Sequence, residues 1–92
     1  MDKSKIFSAV QKQLSKGNID KAISLWEEYV KENPDGNIYN TIGDLYLRKG
    51  DKKNAVEFFH KAAAFFIKEG FTPKAQALYK KILHVNPHDA KA

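Results

Sequence analysis

The sequence predicts an all-α protein built from five antiparallel helices. Breaks rich in Gly, Asn, Pro and Asp recur along the 92 residues, and between the breaks apolar residues return at helical spacing. No segment alternates apolar and polar residues at period two, and no Asn-Gly turn joins two apolar segments, so the signals typical of strands are missing. The predicted helices span residues 3–16, 19–32, 37–49, 52–69 and 73–85.

The first three helices follow from short apolar stripes. Each stripe recurs at intervals of three or four residues, as one face of a helix requires. The stripes consist of Ile6, Val10 and Leu14, then Ala22, Leu25, Trp26 and Tyr29, then Ile38, Ile42, Leu45 and Tyr46.

The fourth helix has an unusually wide apolar surface. Its apolar residues cover an arc of about 200°, roughly twice the arc of an ordinary surface helix. They are Ala55, Val56, Phe58, Phe59, Ala62, Ala63, Phe65, Phe66 and Ile67, with Glu57, His60, Lys61, Ala64 and Lys68 opposite. We therefore expect this helix to pack against neighbours on more than one side.

The fifth helix has a stripe formed by Ala75, Leu78, Tyr79 and Ile82. Thr72 followed by Pro73 predicts an N-cap and a first-turn proline, because proline lacks only a donor that is unpaired there. The glycines after residues 16, 49 and 69 predict left-handed ends for the first, third and fourth helices.

An internal repeat runs through the chain. Residues 16–34 and 69–87 align without a gap, and a third stretch from residue 49 repeats their opening. In each copy a glycine stands five residues before an alanine. Gly17 and Gly50, the first two of these glycines along the chain, are 33 residues apart. A period of this length predicts a solenoid, in which each unit buries its apolar face against the next.

On these residues the sequence resembles the tetratricopeptide repeat (TPR) family, whose unit is a helix-turn-helix. The middle unit matches the family motif at Tyr39, Ile42, Gly43, Tyr46, Ala55, Phe59 and Ala62. The first unit supplies Ile6, Ala9, Val10, Ala22, Trp26, Tyr29 and Pro34. The resemblance implies a right-handed α-α superhelix of about two and a half repeats, forming one domain over residues 1–92.

The third unit is shorter than the family's period. Only 20 residues separate Gly50 from Gly70, so its first helix must coincide with the second helix of the middle unit. One long helix then serves both units, which explains its wide apolar arc. The ending from Asn86 to Asp89 parallels the start of a new repeat at Asn33, and we expect the chain to be a fragment of a longer protein.

Composition excludes several function classes. The sequence contains no cysteine, no apolar run long enough to span a membrane and no secretory leader pattern, so we expect a cytoplasmic protein. The net charge of +5 comes from scattered lysines and one arginine, Arg48, which makes nucleic acid an improbable partner.

No catalytic or cofactor motif is present, and we expect no enzyme activity, no cofactor and no metal. His84 and His88 are four residues apart, but Pro87 between them predicts that the helix has ended. His60 falls on the polar arc of the fourth helix. We therefore expect the function to be recognition of a partner at the protein surface.

The resemblance implies that a partner peptide or helix binds a concave groove lined by the first helix of each unit. Carried onto this sequence, the groove residues are Phe7, Gln11, Asn37, Asn40, Asp44, Arg48, His60, Lys61 and Lys68. A family subtype that clamps chaperone tails is disfavoured, because the matching positions are Phe7, Gln11, Thr41, Glu57 and Lys61, of which only the last is cationic.

Self-association is the alternative function. Phe58 and Phe65 lie seven apart at one edge of the fourth helix, outside the repeat motif. We expect them to pack on the fifth helix; otherwise they mark a homo-oligomer interface formed by residues 52–69 and the C-terminal end, or the docking site of a further repeat.

Overall fold

The computed structural model describes residues 2–88, and within them it contains five α-helices and no strand. Their bounds agree with the predicted ones to within one residue, so the all-α prediction is confirmed. The helices are α1 (Lys3–Ser15), α2 (Ile19–Glu32), α3 (Gly36–Arg48), α4 (Lys52–Lys68) and α5 (Thr72–Val85). Asp89, where the expected repeat start continues, lies outside the described residues.

Three helices end in the same way, and this explains the repeated Gly–Ala spacing. Gly17, Gly50 and Gly70 have φ values of 77°, 85° and 83°. In each case the N–H of the residue after glycine donates to a carbonyl five residues earlier, as Asp51 does to Tyr46 at 2.9 Å. The third copy of this turn follows α4, so α4 leads into α5 as α1 leads into α2.

Aspartate side chains cap the starts of α1, α3 and α4. Asp2 accepts from the N–H of Lys5, Asp35 from those of Asn37 and Ile38, and Asp51 from that of Asn54. Hydrogen bonds from the side chain and backbone of Asn54 lower the pKa of Asp51. These caps satisfy backbone donors that have no partner inside the helix.

The predicted N-cap at Thr72 is wrong. Phe71 holds the cap position of α5 and makes no side-chain cap bond, while Thr72 is already helical. The reason lies in the preceding turn, because the Phe71 N–H is drawn to the Phe66 carbonyl at 2.7 Å and its own carbonyl accepts from Lys74 and Ala75. Helix α5 therefore begins one residue before its proline.

Helix α4 packs between α3 and α5, which confirms the two-sided packing predicted from its apolar arc. Ala55, Ala62 and Ala63 are completely buried, and such small side chains allow close approach of the helices. Ile67 was placed in the same arc but is 50% exposed, because it lies at the edge of the arc in the last turn of the helix.

Close contacts between glycine and phenylalanine hold α3 against α4. A Cβ built on Gly43 would lie 2.6 Å from Cδ1 of Phe59, whose side chain is fully buried. At the start of α3, a Cβ on Gly36 would lie 2.6 Å from Cζ of Phe66. Neither contact leaves room for a methyl group, so an alanine at either position would force the facing ring to move.

Phe58 does not pack on α5 as expected. Its ring stacks on Tyr46 with centroids 5.6 Å apart and lies 6.3 Å from Tyr39, and only 8% of the residue is exposed. Phe58 thus contacts α3. Phe65, seven residues later on α4, is half-buried against the cluster formed by α4 and α5. Phe58 therefore offers little surface to a second copy of the chain.

A polar contact joins α2 to α3. The Tyr46 hydroxyl donates to the carboxylate of Glu27, with oxygen distances of 3.2 and 3.1 Å. Burial raises the pKa of Tyr46 to about 12, and the negative charge of Glu27 adds to the effect. The folded protein therefore stabilises the neutral phenol of Tyr46 relative to the tyrosinate.

Replacing Gly43 with alanine tests the glycine–phenylalanine contact. The added methyl group raises helix propensity by about 0.5–1 kcal/mol, but overpacking a rigid core costs about 1–3 kcal/mol. We expect Gly43→Ala to lower the free energy of unfolding by about 1–2 kcal/mol in urea denaturation. Thr41→Ala, exposed on the same helix, should be nearly neutral. Stabilisation by Gly43→Ala would contradict the close contact.

Alkaline titration tests the Tyr46–Glu27 contact. Because the folded-state pKa exceeds the unfolded value near 10, this stabilisation is complete below pH 10 and is lost as the pH rises toward 12. The free energy of unfolding should fall more steeply over that window in the native chain than in Tyr46→Phe. Glu27→Gln should lower the pKa of Tyr46, measured by tyrosinate absorbance. Equal slopes for the native chain and Tyr46→Phe would exclude the contact.

Candidate functional site

Side-chain contacts connect α1 and α5 to α3. Lys3 on α1 reaches Asp35, the cap of α3, at 3.5 Å. Lys81 on α5 reaches α3, with its Nζ 2.9 Å from Oδ1 of Asn40 and 2.7 Å from Oδ1 of Asp44. The overall dimensions are 35 × 29 × 17 Å, and the short axis matches two helix layers.

A cleft of about 340 Å³ opens between α3 and α5, with α4 as its floor. Its lining combines amides, ammonium groups and apolar side chains: Asn37, Asn40, Phe66, Lys74, Ala77, Leu78 and Lys81. Asp35 fixes the start of α3, which sets Asn37 and Asn40 one turn apart on the same face. The cleft is therefore apolar at its base and polar at its rim.

Within residues 2–88 these amides retain free hydrogen-bonding capacity. Asn40 accepts from Lys81 through Oδ1, and its amide N–H groups have no protein partner. The side chain of Asn37 makes no hydrogen bond, while its carbonyl accepts from the Thr41 hydroxyl at 3.0 Å. Both amides could pair with the backbone of an extended peptide.

Lysine side chains from α5 lie on aromatic rings around the cleft. Lys81 Nζ is 4.5 Å from the ring centroid of Phe59, and Lys74 Nζ is 5.2 and 5.4 Å from those of Phe66 and Phe71. Such cation–π contacts hold an ammonium group in place while leaving its outer side available. Sequence reasoning missed Lys74 and Lys81, because it treated α5 as a second, outward-facing helix.

The structure separates the predicted residues of α4 from those of α3. Lys61 lies 4.7 Å above the ring of Phe58 and lines a different cavity, of about 320 Å³, together with Glu27 and Lys31 of α2. His60 is half-buried, with its ring 6.3 Å from that of Tyr79. Thus Asn37, Asn40 and Asp44 come together, whereas Lys61 faces the α2 side.

The remaining predicted groove residues are exposed. Phe7 on α1 is 53% exposed and makes an edge contact with Trp26, at 6.3 Å between centroids. The backbone carbonyl of Gln11 accepts a hydrogen bond from the Ser15 hydroxyl at 2.7 Å. Arg48 and Lys68 occupy the last turns of α3 and α4. None of these four residues lines the cleft between α3 and α5.

Residues 2–88 do not gather three or more histidine or acidic side chains into a metal-binding group. His84 lies in the last turn of α5, and His88 lies beyond its end. No helix in this part of the chain is both long and apolar enough to cross a lipid bilayer.

Comparison with known proteins identifies the repeat. The family model described as tetratricopeptide repeat matches residues 36–64, which cover α3, its turn and most of α4. Residues 36–64 are therefore similar to a tetratricopeptide repeat. This confirms the resemblance seen in the sequence, and such repeats are generally protein–protein interaction modules. No curated protein matches the chain.

A solved structure shows the same fold. The solution structure of a tetratricopeptide repeat domain protein from Salinibacter ruber superposes with a TM-score of 0.79. It is 23% identical, and the alignment covers 97% of this chain and 91% of that one. The superhelical fold therefore extends beyond the matched repeat, over nearly the whole chain.

Removing the charge of Lys81 tests the link between α3 and α5. Lys81→Met keeps most of the stem over Phe59 but loses the pair with Asp44, and partly exposed pairs contribute about 0.2–1 kcal/mol. We expect a loss of that size in the free energy of unfolding. The matched control, Lys80→Met, alters an exposed neighbour and should be neutral. Equal effects of the two variants would contradict the link.

Proposed function

We propose that this chain is a non-catalytic interaction module that binds a peptide or helix of a partner protein along the face formed by α1, α3 and α5. The cleft between α3 and α5 is the observation that supports this most strongly. It combines an apolar floor with free amide groups on Asn37 and Asn40, which is the combination that peptide-binding grooves use. Phe7 and Gln11 extend the same face onto α1.

Self-association is the second candidate. Ile67 and Phe71 are 50% and 52% exposed and lie four residues apart at the turn between α4 and α5. Adjacent exposed apolar side chains often mark an interaction surface. This candidate differs from the first in that it needs no other protein.

Affinity capture from lysate of the source cells, read by mass spectrometry, tests the proposed function and compares both faces. Asn37→Ala with Asn40→Ala removes the amides of the cleft, and Lys31→Ala with Lys61→Ala alters the cavity between α2 and α4. We expect proteins captured by the native chain to be lost with the first pair and kept with the second. Loss with only the second pair would assign binding to the α2–α4 face.

The self-association candidate has its own measurement. Light scattering after size exclusion gives the mass of the native chain and of Phe71→Ser, which removes an exposed apolar ring. A monomer for both would leave partner binding as the function. A dimer of the native chain that dissociates in the variant, with no protein captured, would favour self-association.

A further inference from the structure

The charged side chains of helix α5 are positive, and none is acidic. It contains Lys74, Lys80 and Lys81, and no acidic residue occurs anywhere in residues 72–88. Lys81 is neutralised by Asp44 across the cleft at 2.7 Å. Lys80 is exposed and makes no ring contact or ion pair within the described residues. The cation at the cleft that lacks an internal counter-charge is Lys74.

Lys74 is held in place without being neutralised. Its ammonium group lies near the rings of Phe66 and Phe71, and no carboxylate of residues 2–88 pairs with it. An aromatic ring attracts a cation but does not cancel its charge, so Lys74 keeps a full positive charge at the rim of an apolar cleft. A carboxylate brought into the cleft would meet a cation whose position is already restricted.

The length of the cleft limits what it can hold. Lys74 and Lys81, the first and last lining residues on α5, are seven residues apart, or about 10 Å along the helix axis. An extended peptide rises about 3.3 Å per residue, so about three residues fit between the two ends. Asn37 and Lys74 both lie in the first turn of their helices, whereas Asp44 and Lys81 lie farther along.

We propose that the cleft between α3 and α5 binds an extended acidic segment of a partner protein, with a carboxylate on Lys74, the backbone on Asn37 and Asn40, and an apolar side chain on Phe66 and Leu78. This inference deepens the proposed function and rests on it. The segment has a direction, because Asp44 and Lys81 neutralise each other at the far end and the uncompensated positive charge lies at Lys74. A polynucleotide fits less well, since it needs a row of cations and Lys81 is already paired.

Nuclear magnetic resonance titration of the isotope-labelled chain tests the inference. The probe is a nonapeptide in which glutamate alternates with leucine, with both ends blocked so that no terminal carboxylate is present. The control probe replaces each glutamate with glutamine. We expect the acidic peptide to shift the amide signals of Asn37, Asn40 and Lys74, to bind more tightly than the control, and to weaken as salt is added.

Two charge-matched variants identify the cation. Lys74→Gln should weaken binding of the acidic peptide by about threefold to tenfold, whereas Lys80→Gln, on the same helix, should change it by less than about twofold. Asp44→Asn should strengthen binding, because it leaves the positive charge of Lys81 without its internal partner. Both substituted lysines are exposed, so circular dichroism should show an unchanged fold.

Four results would overturn the inference. Equal losses for Lys74→Gln and Lys80→Gln would mean that only overall charge matters, and a tighter complex with a deoxythymidine decamer would mean that the cleft selects phosphate. If the glutamine peptide shifts Asn37 and Asn40 as strongly as the acidic one, the acidic preference fails while the proposed groove stands. If no peptide shifts them, both fail.

Discussion

The contact of Gly43 with Phe59 sets the distance between α3 and α4, and the other helices are arranged around this pair. Phe59 is completely buried, and its ring occupies the space in which any other residue at position 43 would place a Cβ. Gly36 and Phe66 repeat the arrangement at the other end of the interface. Because core packing is dense, these two contacts fix both the separation and the register of the helices.

The double role of α4 follows from that packing. Its alanines let α3 and α5 approach from two sides, and the glycine turn after it has the same hydrogen bonds as the turns after α1 and α3. Helix α4 contacts both of these neighbours, and the Lys81 side chain of α5 reaches Asn40 and Asp44 of α3.

The functional consequence is a cleft that neither helix would form alone. Helix α3 supplies amides, while α5 supplies lysines held against the aromatic side chains of α4. The charge at the cleft is therefore divided: Asp44 and Lys81 neutralise each other, and Lys74 remains positive. Recognition by such a surface depends on the pattern of charges as much as on the apolar area it buries.

Helix bounds, glycine turns and the two-sided packing of α4 were predictable from the sequence, because spacing, turn residues and apolar arcs act locally along the chain. The α3 side of the cleft was predictable for the same reason, since Asn37, Asn40 and Asp44 share a helix face. Two further features depended on how α4 is rotated between its neighbours. One is the contact of Phe58 with α3 and the position of Lys61 in the cavity beside α2. The other is the position of Lys74 and Lys81 at the cleft. That rotation is decided by tertiary packing of Phe59 and Phe66 against glycine, which no local pattern records.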